Sequence, residues 1–175
     1  MIVELNQIPE EGLQVAFHEP VSLGAAAGCV EATCPVDAQV SLVKTGIGVA
    51  VRGRLGSTVR VTCSRCLEVF PLNLGEEFEV HYLPSRTADV AGEHELSPGD
   101  LDVLPLREDR IDLTALLQDT ILLTLPPQPV CRETCRGLCP RCGASLNAGP
   151  CGCPPRPADP RWQALGKLRT AKSRS

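Results

Sequence analysis

The sequence predicts an α+β protein: an antiparallel β-sheet body with a capping helix, then a cysteine-rich knuckle module and a C-terminal helix. Three observations carry that reading. Apolar residues alternate with polar or small ones in VAVRGRLGSTVRVTC and EEFEVHYL. The period then changes to that of a helix in IDLTALLQDTILLTLPP. Six cysteines crowd into CRETCRGLCPRCGASLNAGPCGC at 131–153, and two more stand upstream in VTCSRCLEVF. Residues 1–130 read as the mainly β body, and residues 131–175 as the cysteine-rich module with its helix.

Taken in order, MIVELNQIPEEG has neither a basic stretch nor a continuous apolar core, so it does not read as a secretory signal. No stretch approaches the ~20 apolar residues of a membrane span. LQVAFHEP is a weaker strand candidate. VKTGIGVAVRGRLGSTVRVTC reads as two strands with a glycine-containing turn: Val49 and Val51 alternate with smaller or polar residues, and Val59 and Val61 do so again after 55–57. In EEFEVHYL, Phe78, Val80 and Tyr82 share one face and Glu77, Glu79 and His81 the other, a strand with one wet face. Cys63 and Cys66 therefore fall where one strand ends and the chain turns towards the next. Residues 84–110 are acidic with scattered apolar positions, a long connection with a short strand around 101–104.

Asp112 can cap a helix near 112–124 that puts Leu113, Leu116, Leu117 and Ile121 on one face. Pro126 and Pro127 stop it. Asp159 as N-cap and Pro160 in the first helical position begin a last helix, with Trp162, Leu165 and Leu168 as its apolar stripe.

The 175 residues suffice for one domain, or one domain with a small module, and 43% hydrophobic residues can build a core. The net charge of −4 is divided unevenly. Residues 131–175 hold nine Lys and Arg against Glu133 and Asp159, a net +7, and the remaining eight basic and nineteen acidic residues leave the body at −11. Such asymmetry suits a basic end that meets an anion, or two halves that pack against each other.

Without a secretory signal the cysteines belong in a reducing cytoplasm, where stable disulfides are uncommon. Tetrahedral zinc takes four thiolates or imidazoles, usually delivered as two close pairs. CPRCG is a strong half-site, and GASLNAGP, rich in turn formers, separates it from CGC. Cys139, Cys142, Cys151 and Cys153 thus make one four-cysteine set, a zinc knuckle. Cys131 and Cys135, spaced by three, make a second set with Cys63 and Cys66; alternatively Cys131 or Cys135 replaces one ligand of the distal set. The expectation is one or two structural zinc ions, with zinc ahead of iron–sulfur.

Cys29 and Cys34 match zinc spacing poorly and read as incidental, since an isolated cysteine most often behaves as a small apolar residue. The CSRC segment at 63–66 also admits a redox reading with Arg65 lowering a thiol pKa, but a thioredoxin-like pair precedes a helix in a βαβ unit, and here strands flank it. Four thiolates leave no open coordination position, His18, His81 and His94 are scattered, and no phosphate loop or Ser-His-Asp arrangement is legible. The protein reads as non-enzymatic, with no small-molecule substrate and no membrane partner.

VTCSRCLEVF, EEFEVHYLP, IDLTALLQDTILLTLPPQPVC, CRGLCPRCGASLN and DPRWQAL, in that order over about residues 35–170, resemble the YceD-like family, the large ribosomal RNA subunit accumulation proteins. The resemblance implies a bacterial, cytoplasmic, non-enzymatic factor for large-subunit ribosomal RNA accumulation. Its expected partner is large-subunit ribosomal RNA or a pre-ribosomal particle, and a ribosomal protein is a further candidate. Affinity for RNA is built mainly from Lys and Arg contacts to phosphate. Arg161, Lys167, Arg169, Lys172 and Arg174 are the candidate RNA contacts. With only one Trp, one Tyr and three Phe in the chain, base stacking has few platforms, so backbone and shape would be read. The competing reading is a zinc-stabilised module that binds protein alone, a ribosomal protein or an RNA-processing enzyme, through its acidic body.

Overall fold

The segments that alternate in sequence build the longest ladder of the fold. The computed structural model describes residues 1–24, 33–84, 103–154 and Arg161. Among these, eight strands run in chain order: β1 (Ile2–Glu4), β2 (Leu13–Phe17), β3 (Pro20–Ser22), β4 (Thr33–Lys44), β5 (Val49–Thr62), β6 (Val69–Pro84), β7 (Val103–Leu106) and β8 (Arg110–Asp112). Among the described residues one α-helix, α1 (Leu113–Thr124), follows β8 directly, and a 3-10 turn spans Leu5–Gln7. The chain divides into two compact units, Met1–Cys135 and a second beginning at Arg136.

The main sheet has the order β2-β4-β5-β6-β7, with β3 also on β4. β2 and β3 meet β4 in one register, Phe17 opposite Ala38 and Pro20 opposite Pro35, and between them His18 Nδ1 lies 2.8 Å from Asp37 Oδ1 on the exposed face. β4, β5 and β6 form an antiparallel meander with unbroken register, from Val36 opposite Ser57 to Thr62 opposite Val69. β7 adds in parallel along His81–Pro84 only. The inward row of β4 (Cys34, Val36, Ala38, Val40, Leu42) is buried, as is that of β5 (Val49, Val51, Leu55, Val59, Val61). Their outward neighbours Asp37, Gln39, Arg52 and Arg54 are exposed, which is the period-two signature of a sheet with one wet face.

α1 closes that core with Leu113, Leu116, Leu117 and Ile121, all buried. The Asp112 side chain accepts from the backbone N–H of Thr114 and Ala115, a cap worth about 1 kcal/mol. β1 pairs with β8, so the chain start is stitched beside the helix start, with Val3, Ile8 and Ile111 buried there.

Three details differ from the sequence expectation. β5 is one strand of 14 residues, with no turn at 55–57. Gly53 serves packing: a Cβ there would stand 2.6 Å from the Phe78 ring and 2.8 Å from the Gln39 carbonyl oxygen. The chain reverses instead at 45–48, where Thr45 N–H donates to Gly48 O at 2.8 Å and a Cβ on Gly48 would run into the Tyr82 carbonyl. β4 is a strand beyond those expected from the sequence, with a clean alternation of exposed and buried residues from Cys34 to Leu42. Among the described residues the short strand of the acidic connection is Val103–Leu106, which includes Val103 and Leu104 of the expected 101–104 and runs on to Leu106. Residues 85–102, Cys29 and the C-terminal helix from Asp159 lie outside the described residues.

Candidate metal centres

Each CxxC segment caps the turn of a β-hairpin, and the two turns share one hydrogen-bond pattern. In the first, Cys63 N–H donates to Glu68 O (2.9 Å) and Leu67 N–H to Cys63 O (2.9 Å). In the second, Cys139 N–H donates to Ala144 O (2.8 Å) and Gly143 N–H to Cys139 O (2.9 Å). The residue after the second cysteine is left-handed in both, Leu67 at φ 63° and Gly143 at φ 73°. A left-handed residue there turns the chain sharply enough to aim both thiols to one side.

The first turn joins β5 to β6, whose ladder pairs all 14 residues of β5. Cys131 and Cys135 approach from the segment after α1, and the four sulfurs lie within 4.8 Å of one another. Two specific contacts lock the halves together. Ser64 gives both its N–H (2.8 Å) and its hydroxyl (3.0 Å) to Pro129 O. Arg65 sends one guanidinium nitrogen to the carbonyls of Glu133 (3.2 Å) and Cys135 (3.1 Å). Neither Ser64 nor Arg65 announces this in sequence, because their partners lie about seventy residues away. Cys63, Cys66 and Cys135 are buried and Cys131 half-buried.

The second set, Cys139, Cys142, Cys151 and Cys153, also lies within 4.8 Å sulfur to sulfur. Its hairpin is minimal: Leu138 bridges Ser145, and Leu146 N–H donates to Gly137 O at 2.9 Å. Arg136 N–H on the Asn147 amide oxygen (2.9 Å) closes the base. Gly149 (φ 141°) and Gly152 (φ 73°) turn the chain back so that CGC meets the knuckle. Here only Cys139 is buried, and Cys142 is exposed.

The spacings fit a tetrahedral metal and not a disulfide. Metal–thiolate bonds of about 2.3 Å set tetrahedral sulfurs about 3.8 Å apart. Cys63 Sγ to Cys135 Sγ is 3.9 Å, and Cys66 Sγ to Cys131 Sγ is 3.7 Å. A disulfide needs about 2.05 Å. Both sets can therefore hold a metal ion through four sulfurs. With Cys131 and Cys135 beside Cys63 and Cys66, the alternative in which one of them serves the distal set does not arise in this arrangement.

The thiol acidities are split within each set. At Cys63 burial opposes the thiolate, but N–H groups of Cys131, Cys66 and Arg65 and the Cys66 thiol overcome it and hold the pKa down at about 6. At Cys66 the Glu68 N–H favours the thiolate, yet burial and the crowd of Cys63, Cys131 and Cys135 push it up to about 12. Burial raises Cys131 as well. In the second set the N–H groups of Cys142 and Arg141 draw Cys139 down to about 6, and Cys142 and Cys151 push Cys153 up to about 12. One sulfur of each set is thus prepared as an anion, and a cation at the centre would displace the remaining protons.

The other sequence candidates fall elsewhere. Cys34 is buried in β4 with its Sγ 3.8 Å from Val21 O, a small core residue. Arg161 is exposed, and Lys167, Arg169, Lys172 and Arg174 lie outside the described residues. Among the described residues no helix is long and apolar enough to cross a membrane.

Fold and site together define a class: a β-sheet protein with two four-cysteine sets at hairpin turns, each able to hold a metal ion. The family model of the large ribosomal RNA subunit accumulation protein YceD matches residues 51–169, and this chain belongs to that family. An uncharacterized protein of Mycobacterium tuberculosis is 30% identical over 89% of this chain and 72% of its own length. A chloroplastic YCED homolog 1 of Zea mays, named a large ribosomal RNA subunit accumulation protein, is 27% identical over 77% of this chain and 55% of its own. The chloroplastic YCED homolog 2 of Arabidopsis thaliana is 31% identical over 51% of this chain and 40% of its own. No solved structure matches.

Proposed function

We propose that this protein is a non-enzymatic, cytoplasmic factor that supports accumulation of large-subunit ribosomal RNA by binding the RNA or its precursor particles, and that two structural zinc ions hold its knuckles. Membership of the accumulation-protein family, over a match that includes both cysteine sets, carries the reading. The chemistry agrees with it. All-sulfur donor sets favour zinc, and a closed shell of four thiolates leaves no position for water or substrate. The basic residues gather where a polyanion can be met: residues 131–175 hold nine Lys and Arg against two acids.

Replacing Lys167, Arg169, Lys172 and Arg174 by Ala should weaken association with large-subunit precursor RNA. Four lost phosphate contacts would also flatten the slope of log affinity against log salt by roughly three units. Co-sedimentation with precursor particles before and after nuclease, at several salt concentrations, measures both. Unchanged binding and slope in the fourfold variant, or association that survives nuclease, would transfer the contact to a protein partner.

A further inference from the structure

We infer that Cys142 is an oxidation site: hydrogen peroxide reacts with its thiolate, a disulfide forms within the second cysteine set, and that set gives up its metal while the first keeps its own. The inference rests on the reading that both sets hold zinc. A thiolate is at once a metal ligand and a nucleophile, so a four-sulfur site protects its metal only as well as it hides its sulfurs.

The two sets hide theirs unequally. In the first, Cys63, Cys66 and Cys135 are at most 5% exposed, and Cys131 is half-buried. Cys63 Sγ also accepts the N–H groups of Arg65 and Cys131, both at 3.4 Å. In the second, Cys142 is exposed, and Cys151 and Cys153 are half-buried. Its neighbours Pro140, Arg141, Gly143 and Ala144 are exposed too, so the turn that carries this sulfur does not cover it.

Freedom to close a disulfide differs in the same sense. The sulfurs of each set lie within 4.8 Å of one another, and an S–S bond of about 2.05 Å requires two of them to close in. Cys63 and Cys66 are held at the end of a fully paired strand of 14 residues, with Ser64 and Arg65 fastened to the carbonyls of Pro129, Glu133 and Cys135. The second set hangs on a hairpin with one isolated bridge, Leu138 to Ser145, and its CGC arm turns on Gly149 and Gly152.

The step balances with peroxide as the one reagent. The Cys142 thiolate attacks a peroxide oxygen, the O–O bond breaks and hydroxide leaves, which gives the sulfenic acid. A second thiolate of the set attacks that sulfur. The S–S bond forms, the S–O bond breaks and a second hydroxide leaves. Two thiolates lose two electrons in all, and the peroxide gains them. The two thiolates that remain are too few for a tetrahedral all-sulfur site.

The test treats the full-length, zinc-loaded chain with hydrogen peroxide beside a chromogenic zinc chelator, after native mass spectrometry has counted the bound ions. Peroxide should release one of two ions roughly tenfold faster than the other, and roughly tenfold faster than the chelator takes it alone. Differential alkylation with peptide mapping should find Cys142 joined to Cys139, Cys151 or Cys153, with Cys63, Cys66, Cys131 and Cys135 still reduced. Reductant and added zinc should restore the lost ion. Cys142→His keeps a zinc ligand that cannot enter a disulfide, and should slow the peroxide-driven release by roughly tenfold. If that variant fails to load its second ion, the thiol map of the unaltered chain decides. The inference fails if both ions leave together, if the first set oxidises first, if the chelator alone strips the second ion as fast, or if the disulfide joins two chains. Fewer than two ions before any peroxide is added would overturn the zinc reading itself, and this inference with it.

Discussion

The two cysteine knuckles are the same local structure set on unequal foundations. Both make the same pair of backbone hydrogen bonds across the turn, and both place a left-handed residue after the second cysteine. The first caps a fully paired strand of 14 residues and rests on a core that includes Val59, Val61 and the buried face of α1. The second caps a hairpin with one isolated bridge, Leu138 to Ser145, and of its four cysteines only Cys139 is buried. A metal at the first site would cross-link a sheet that already buries its own apolar rows. At the second, a metal would supply what a core otherwise supplies. A shared knuckle geometry therefore says nothing about how far the fold depends on the ion.

Removing a ligand from the second site should produce the largest effect. Cys139→Ser should unfold 136–154 outright while the β body keeps its cooperative melt, since short metal modules draw about 10 kcal/mol or more of folding free energy from the ion. Heteronuclear NMR would see the amides of 136–154 collapse to random-coil positions with β4–β6 unmoved. Simultaneous loss of the body would mean that the two units do not fold separately, and the contrast between the knuckles would go with it.

Cys63→Ser should be milder. It opens a cross-link between positions 65 residues apart, Cys66 and Cys131, for which loop-closure entropy suggests about 4 kcal/mol. The body should stay folded with a lower thermal midpoint, and native mass spectrometry should find bound zinc fall from two ions to one. Two ions retained by this variant would show that three sulfurs suffice at the first site.

The split thiol acidities predict a pH optimum for the metal-stripped body. Cys63 is held down at about 6 against an ordinary 9.0, so its contribution is full above 9.0 and is lost as pH falls towards 6. Cys66 is pushed up to about 12, so its contribution is full below 9.0 and is lost as pH rises towards 12. Stability of the chelator-treated protein should rise from pH 6 to near 9 and fall beyond it, read as the urea midpoint across that range. A flat profile would mean that the four thiols are not gathered when the metal is absent. The zinc-loaded protein should instead lose its ions on acidification, because protons compete with the metal for every sulfur.

Exchanging the left-handed residues should have the smallest effect. Leu67 occupies the conformation that Gly143 fills without steric conflict, at a cost of about 1 kcal/mol. Leu67→Gly should be neutral to slightly stabilising, because relief of that conflict is offset by the entropy of glycine. Gly143→Ala should weaken zinc binding at the second site by about fivefold to tenfold, the same 1 kcal/mol read as affinity. Competition with a zinc chelator of known affinity measures both. A large loss in Leu67→Gly would mean that the exposed leucine, 62% accessible, packs on something that the isolated chain lacks.

Much of this was legible in the sequence. The helix from Leu113 with its Asp112 cap, the wet-faced strand through Phe78 and Tyr82, and the distal cysteine set all follow from spacing alone, because capping, period and a fifteen-residue metal loop are local. The alternation of β4 is equally local. Tertiary structure decided the rest. Glycines at 53 and 56 look like a turn until the Phe78 ring and the Gln39 carbonyl occupy the space where a Cβ at 53 would stand, since a glycine needed for close approach reads in sequence like one needed for reversal. Which cysteines join Cys63 and Cys66 depends on α1 delivering Cys131 and Cys135 to the β5–β6 turn, across a gap whose conformation no local rule encodes. The pairing of the chain start with β8 and the parallel pairing of β7 with the end of β6 have the same origin: strand neighbours are chosen by long-range packing, and a strand's own residues specify only which of its faces is buried.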